Sequence, residues 1–306
     1  MNKFDVIGFG ALNVDKLFKV DKIAAAEEES FISDYVEACG GSAANTIVGL
    51  ARLGCKVGFI GKVGDDAEGR LLLEDFKKER VDTSGIRVVK MGRSGKAMGF
   101  VDQEGQRALY IDPGVNDTIR LDDVDTNYAL ETKFLHLTSF VGEVSFQTQT
   151  RLLGKLRKNV KISFDPGVFY AKMGVEKLKP IVDRSFVMMP NSDELELLTG
   201  KSDYKAGAEF LIKRGVRVLA VKLGSKGCYV TDGKEKCLVK PFKVKVVDTT
   251  GAGDAFDAGF LYGLLSGKNL CECAKTGNFI ASGCIMSMGA RTSLPSLKDL
   301  EAHKQV

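Results

Sequence analysis

Short β-branched runs alternate with amphipathic stretches along most of the chain, the pattern of a mostly parallel sheet covered by helices on both faces. The runs that read as strands are Asp5–Gly10, Val57–Gly61, Phe134–Leu137, Lys161–Phe164, Phe186–Met189 and Arg217–Lys222. Between them, Ala43–Leu53, Glu68–Glu79, Ser145–Arg157, Asp193–Leu198 and Tyr204–Arg214 read as helices. In the first of these, Ala44, Ile47, Val48, Leu50 and Ala51 recur at helical spacing, and Gly54 follows as a stop. The stretch after Gly251 is apolar nearly all round, from Ala255 and Phe256 to Leu264 and Leu265, which predicts a buried helix. Two regions break the rhythm: 16–37 and 94–111 alternate like strands with no helix between. The second carries a hairpin signal, Asp102-Gln103-Glu104-Gly105, between Ala97–Val101 and Arg107–Ile111. These pieces predict a small antiparallel β lid on a three-layer, doubly wound α/β domain spanning 1–306. A further hairpin is expected where Cys228–Thr231 and Lys236–Val239 flank Asp232-Gly233.

Composition narrows the function classes. Of 306 residues 44% are hydrophobic and 27% charged, so the chain is no disordered polymer. No run of about 18 apolar residues exists to span a membrane. The net charge, 44 − 40 = +4, is spread without a Lys/Arg block, which argues against nucleic acid. Met1-Asn2-Lys3 leads straight into a strand without an apolar leader, so a cytoplasmic location is expected. The seven cysteines (Cys39, Cys55, Cys228, Cys237, Cys271, Cys273, Cys284) are irregularly spaced, and His136 and His303 stand alone. Reduced thiols and no structural zinc are therefore expected. The 34 glycines against 6 prolines suggest loops that hold phosphate.

The strongest chemical signal is Asp248-Thr249-Thr250-Gly251-Ala252-Gly253-Asp254, which follows the β-branched run Val244–Val247 and opens the apolar helix. Glycines just before a helix let main-chain N–H groups converge, and the helix dipole adds positive charge there. Asp254 stands in that nest. A carboxylate at a helix start is often only a favourable charge, but a bare cap does not need Gly251 and Gly253 around Ala252. A carboxylate beside an anion hole suits phosphoryl transfer to a hydroxyl. Other nucleotide motifs fail. Gly200-Lys201-Ser202 ends like a Walker A loop, but Leu195 occupies the first glycine position; Gly8-x-Gly10 meets Asn13 where a third glycine is needed.

A second glycine segment, Gly40-Gly41-Ser42-Ala43-Ala44-Asn45, begins the first helix, and Asn13 and Asp15 follow the first strand. Open α/β sheets bind ligands there. Together these motifs resemble the ribokinase-like (PfkB) family of sugar and nucleoside kinases over nearly the whole chain. Asn13-Val14-Asp15, Gly40-Gly41-x-x-x-Asn45, Gly114-Val115-Asn116, Asn191-Ser192-Asp193-Glu194, Gly224-Ser225-Lys226-Gly227 and the segment ending in Asp254 carry the resemblance. It implies Asp254 as the base, with Gly251, Ala252 and Gly253 forming an anion hole together with the Asp254 amide. It implies sugar hydroxyls held by Asn13, Asp15, Gly40, Gly41, Asn45 and Asn116. It implies ATP along Lys222, Gly224, Ser225 and Gly227, with Asn278 near the base, and Mg²⁺ organised by Asn191 and Glu194. It further implies a K⁺ ion near Asp248, Thr250, Cys284, Ser287, Gly289 and Ser293.

Departures shape the acceptor. Ribokinases proper have Lys and Gly where this chain has Ser42 and Ala43, and a Glu after the Phe134–Leu137 strand where it has Leu137-Thr138-Ser139-Phe140. D-ribose itself is thereby disfavoured, and Phe164-Asp165-Pro166-Gly167 is more similar to members acting on nucleosides or other sugars. Lys96 and Arg107 in the lid are candidates for an anionic group on the acceptor, or are simply solvated. Phe18, Phe31, Phe100 and Tyr110 either stack on a nucleobase or form a lid-to-lid homodimer core. The expectation is an ATP-dependent kinase of a sugar hydroxymethyl group. Nucleoside or sugar-phosphate acceptors are the alternatives within that class. A non-catalytic nucleotide sensor and a nicotinamide-dependent dehydrogenase are the alternatives outside it.

Overall fold

The computed structural model describes residues 2–104 and 106–303, apart from the side chain of Arg107. Its strands are β1 (Phe4–Phe9), β2 (Asn13–Val20), β3 (Ile32–Gly40), β4 (Val57–Gly64), β5 (Asp82–Val89), β6 (Gly95–Val101) and β7 (Arg107–Asp112). They continue with β8 (Thr132–Leu137), β9 (Lys161–Phe164), β10 (Ser185–Met188), β11 (Val218–Lys222), β12 (Cys228–Thr231) and β13 (Lys236–Val239). The main sheet runs β13-β12-β11-β10-β9-β8-β1-β4-β5. It is parallel from β11 to β5, and the β12–β13 hairpin extends one edge antiparallel.

Strands buried on both faces send alternate side chains to two cores. In β11, Val218 and Ala220 enter one cluster while Leu219 and Val221 enter the other. Helices Ser42–Arg52, Ala67–Lys78, Ala252–Leu265 and Leu270–Cys284 cover the first face, and Glu143–Lys155, Ser192–Thr199 and Tyr204–Lys213 the second. Helices Ser42–Arg52 and Ala252–Leu265 cross closely: a Cβ on Gly49 would lie 2.7 Å from the Ala258 methyl.

The lid is a separate sheet of order β3-β2-β6-β7. Its outer pairs are antiparallel and β2 runs parallel to β6, with Asn13 opposite Gly95. The expected β6–β7 turn closes through Asp102 N–H to Gln106 O (3.1 Å); Gly105 lies outside the described residues. The predicted strands and helices recur with end shifts of at most three residues. Edge strand β5 escaped the sequence reading because Asp82, Thr83, Ser84 and Gly85 hide its alternation. The Val244–Val247 run, conversely, forms no strand. Pro241 cannot extend the ladder after β13, and the Val247 N–H goes to Ile285 O (2.8 Å).

The cysteines correct one expectation. Cys237 of β13 and Cys271 at the start of the Leu270–Cys284 helix form a disulfide, with Cα atoms 5.8 Å apart. Packing the hairpin edge on that helix brings together thiols that 34 residues of sequence separate. Cys39, Cys55, Cys228, Cys273 and Cys284 remain free. Among the described residues no helix is long and apolar enough to cross a membrane.

Candidate active site

β1 has β4 on one side and β8 on the other, so the chain winds in opposite directions from it, and a crevice opens beyond the strand ends. A cavity of about 400 Å³ fills that crevice. Asn13, Asp15 and Ala97 of the lid line it from above, Thr138, Ser139 and Phe140 from the end of β8, and Gly251, Gly253 and Asp254 from below.

Gly251 caps the buried helix at φ 78°, a left-handed conformation, and no side chain caps that helix. The Ala252 N–H turns back to Thr249 O (3.2 Å), which removes it from the expected anion hole. The Gly253 and Asp254 N–H groups have no main-chain acceptor. These two amides are what the helix start offers to an anion. Burial pushes the Asp254 carboxyl up to about 7, with the charge on Asp165 adding to the rise. A hydrogen bond from Asn45 Nδ2 to Asp254 Oδ2 (2.8 Å), Lys222 and Arg291 all oppose it.

On the lid side, Gly40 leaves room for Asp15, whose carboxylate a Cβ at position 40 would strike. Asn116 is 1% exposed and fully engaged. Its Oδ1 accepts from Leu12 N–H (3.0 Å), and its Nδ2 donates to Leu12 O (2.9 Å) and Asn13 Oδ1 (3.0 Å). It therefore braces the β1–β2 junction, and Asn13 is turned toward it. Asn45 spends its amide on Asp254 and on Arg291, whose Nε donates to Asn45 Oδ1 (2.8 Å). Lys96 does not face the cleft as a free cation. Its Nζ lies 2.7 Å from Glu68, which also binds Lys16 at 3.1 Å, because neighbouring strands place both lysines over one carboxylate. The side chain of Arg107 lies outside the described residues.

On the nucleotide side, Lys222 ends β11 and is buried between Asp165 Oδ2 (2.8 Å) and Asp257 Oδ1 (3.3 Å). Its ammonium sits beside Gly253, 3.3 Å from where a Cβ would stand. Burial raises the Asp165 carboxyl, but Lys222 overcomes that and holds it low. Asp257 is pushed well up by burial, with the charge of Asp165 and a hydrogen bond between the two carboxyls adding to the rise and Lys222 opposing it. Asn191 and Glu194 form a reciprocal cap: Glu194 N–H donates to Asn191 Oδ1 (2.8 Å) and Asn191 N–H to Glu194 Oε2 (2.9 Å). Burial and the charge of Asp165 push Glu194 up to about 7. Carboxyls of Asp165, Glu194, Asp254 and Asp257 thus face one lysine, and three of them resist ionising. That shortage of positive charge fits a divalent cation arriving with a triphosphate. Gly224, Ser225 and Lys226 make a 3-10 turn after β11, closed by Gly227 at φ 90°. Asn278 donates to the carbonyls of Val239 (3.2 Å) and Lys240 (3.0 Å), fastening the end of β13.

The loops of the expected cation site lie side by side. Asp248 Oδ1 accepts from Thr250 N–H (2.9 Å) and Oγ1 (2.8 Å), and its Oδ2 from Gly289 N–H (2.8 Å). The Cys284 thiol is engaged by main-chain carbonyls there. Burial pushes its thiol up to about 12, and Sγ donates to the carbonyls of Ala290 (3.3 Å) and Thr250 (3.6 Å). Ser287 and Ser293 flank Gly289 in the same loop region.

Arg291, Asp257 and Asp117 were missed from the sequence. Asp257, three residues after Asp254, shares its helix face and was legible by spacing alone. Asp117 lines the cleft with a buried, unpartnered Oδ1. Arg291 is 8% exposed in a loop without periodicity, so only the fold reveals it.

A crevice at the strand ends, a glycine-opened helix and a buried carboxylate beside two bare amides define a phosphotransferase of carbohydrate-kinase type. Residues 3–297 match the pfkB carbohydrate kinase family, and the chain belongs to it. A protein of Archaeoglobus fulgidus described as an uncharacterized sugar kinase is 47% identical over 255 residues, covering 82% of this chain and all of that one. The ATP-dependent ribose-1-phosphate kinase of Halopiger xanaduensis is 32% identical over 256 residues, covering 84% of this chain and 83% of that one. The ribokinase structure from Thermotoga maritima superposes with a TM-score of 0.86 at 29% identity, covering 99% of this chain and all of that one.

Proposed function

We propose that this chain moves the γ-phosphoryl group of ATP directly onto a hydroxymethyl group of an uncharged sugar or nucleoside, with Asp254 as the base. The observation that carries this is the Asp254 carboxylate, lodged at a glycine-opened helix start on the floor of the cleft and pushed up to about 7 by burial. A carboxyl near neutrality is matched to taking a proton in the cell's pH range. The acceptor oxygen attacks the γ-phosphorus as its proton passes to Asp254; the bond from that phosphorus to the bridging oxygen breaks, and ADP leaves. The Gly253 and Asp254 amides meet the charge on the migrating group, and Lys222 beside them adds a fixed positive field. Asn191 and Glu194 would hold Mg²⁺ through its waters, and the ion would neutralise phosphate charge there. The Asp248, Thr250 and Gly289 loops offer main-chain and carboxylate oxygens of the kind that suits K⁺.

Charge favours a neutral acceptor over a phosphorylated one. The described cleft lining carries Asp15, Asp117, Glu194 and Asp254 and no Lys or Arg. Residues 1–306 would work as one unit in a cytoplasmic setting, the lid closing over the acceptor to exclude water. Phe31, Tyr35 and Tyr110 on the lid are 80%, 60% and 58% exposed, which favours lid-to-lid pairing in a homodimer.

Asp254→Asn tests the reading. kcat should fall by at least about 10²–10⁴, as for loss of a general base, with ATP binding unchanged by calorimetry. Near-normal turnover would remove Asp254 from the chemistry. A screen of ribose, fructose, inositol, nucleosides and sugar phosphates should give the highest kcat/KM on a neutral compound; a sugar phosphate in first place would overturn the acceptor class.

A further inference from the structure

Asn45 is the direct hydrogen-bond donor to the base, and an asparagine amide is ambiguous. Its two ends have nearly the same shape, one accepting and one donating, so packing alone does not fix which end meets Asp254. With its oxygen turned toward Asp254 it would set lone pairs against an ionising carboxylate. Something must forbid that state.

Arg291 does so chemically. A guanidinium has donors and no acceptor. Its Nε donates to Asn45 Oδ1 (2.8 Å), so Nδ2 is the end left for Asp254 Oδ2 (2.8 Å). Arg291 is itself held: one NH₂ group donates to Gly40 O (3.3 Å), the other pairs with Asp75, and the guanidinium lies 5.8 Å from the Phe76 ring centre. Three parts of the chain distant in sequence thus meet in one line, from the loop after the Leu270–Cys284 helix, through the Gly40–Asn45 segment, to the base. We propose that Arg291 is a positioning residue for phosphoryl transfer, locking the Asn45 amide so that it donates to Asp254 and holds that carboxylate toward the acceptor hydroxyl. This rests on Asp254 being the base.

The charges around Asp254 set what its loss should do. Asp165 after β9, Asp257 in its own helix and the Cys284 thiol face it from neighbouring elements, with Lys222 of β11 and Arg291 as the cations. Without Arg291 the base loses a nearby positive charge and its ordered donor together, and both losses favour the protonated carboxyl. The acidic limb of the kcat–pH profile should therefore move up.

The experiment compares kcat–pH profiles of the whole chain with saturating MgATP and its best acceptor. Arg291→Met keeps the stem and removes every donor. It should shift the acidic limb up by about one pH unit, with about a tenfold fall in kcat below the limb and a much smaller fall at pH 9. Arg291→Lys, again donor-only, should restore much of the native profile. Asp75→Asn removes the ion pair yet leaves the Nε contact, so it should lower Tm without moving the limb. If Arg291→Met does not fold, Arg291→Gln serves in its place, because its amide can present either end and leaves Asn45 unlocked; its limb should also move up. A native limb in Arg291→Met or Arg291→Gln, or an equal shift in Asp75→Asn, would make Arg291 a mere fastener and overturn the inference while the base stands. Turnover surviving in Asp254→Asn is the separate result that would bring down the base itself.

Discussion

Two helices aim their N-termini into the cleft, and both begin at a glycine with positive φ: Gly41 at 104° and Gly251 at 78°. Neither has a side-chain cap. Helices beginning at Ala67, Ser192, Tyr204 and Leu270 are instead capped by Asp66, Asn191, Asp203 and Asn269, each accepting a first-turn N–H. A capped start is closed to ligands, and a glycine start leaves amides for them. The two open starts differ in what stands about one turn in. The first carries neutral Asn45, both ends of its amide engaged by protein; the second carries Asp254, buried among the charges of Asp165, Lys222 and Arg291. One backbone solution thus serves two ends of a reaction: a neutral wall that holds the base, and a charged floor that does the chemistry.

The charged floor depends on Lys222, and its loss is the largest effect expected. Lys222→Met would leave Asp165 and Asp257 buried without their cation, a defect of about 3–5 kcal/mol. Denaturant unfolding would read it. A cost below about 1 kcal/mol would mean that the floor is not held by this pair, and the contrast between the two starts would lose its electrostatic half.

The next test sets the glycines against each other. A methyl at position 251 would strike Ala290, and one at 41 the Ala11 carbonyl, each in a conformation that side chains resist. Both Gly251→Ala and Gly41→Ala should cost about 1–3 kcal/mol. Their kinetics should part: kcat collapses in the first, whereas acceptor KM rises in the second. Identical kinetic defects would show that the two helix starts do one job.

Asp254→Asn should also stabilise the ligand-free protein, and only at higher pH. The folded carboxyl titrates near 7 against about 3.9 when unfolded, so the native state binds more protons between those values. Native stability from this group is intact below about pH 4 and drains away as pH rises through 7. The asparagine, having no charge to bury, escapes that loss. The Tm gain of the variant should be small at pH 5 and larger at pH 8; a gain independent of pH would contradict a buried, raised base.

Much of this contrast was legible in the chain and part was not. Gly251, Gly253 and Asp254 announce themselves because main-chain chemistry needs glycines at fixed offsets from a helix. The parallel strands show because burial on both faces demands continuous apolar runs. Arg291 and the Cys237–Cys271 bridge left no such trace, since each depends on segments joined only after folding. Asn116 was read as a ligand for the acceptor, yet its hydrogen bonds go to Leu12 and Asn13; residue type gave its chemistry but not its partner. β5 was lost because an edge strand with polar residues at its start has no periodicity to display.

The lid gives the mildest test, on the neutral side of the comparison. Glu68 holds Lys16 and Lys96 at once, and Lys96 adjoins Ala97, which lines the cleft. Burial opposes ionisation of Glu68 only in part, and its bond to Lys96 leads a set of contacts that hold its carboxyl below the usual range. Glu68→Gln keeps the shape and removes the charge. Ion pairs this accessible contribute little, so stability should fall by less than about 1 kcal/mol. Turnover of a neutral acceptor should hardly change, because no lysine is needed to bind it. Phosphorylated acceptors, by contrast, should gain in kcat/KM once Lys96 has lost its carboxylate. A large loss on the neutral acceptor with no gain on the phosphate would show that Glu68 itself shapes the pocket, and that the neutrality of this wall is maintained by something other than lysines held away from the cleft.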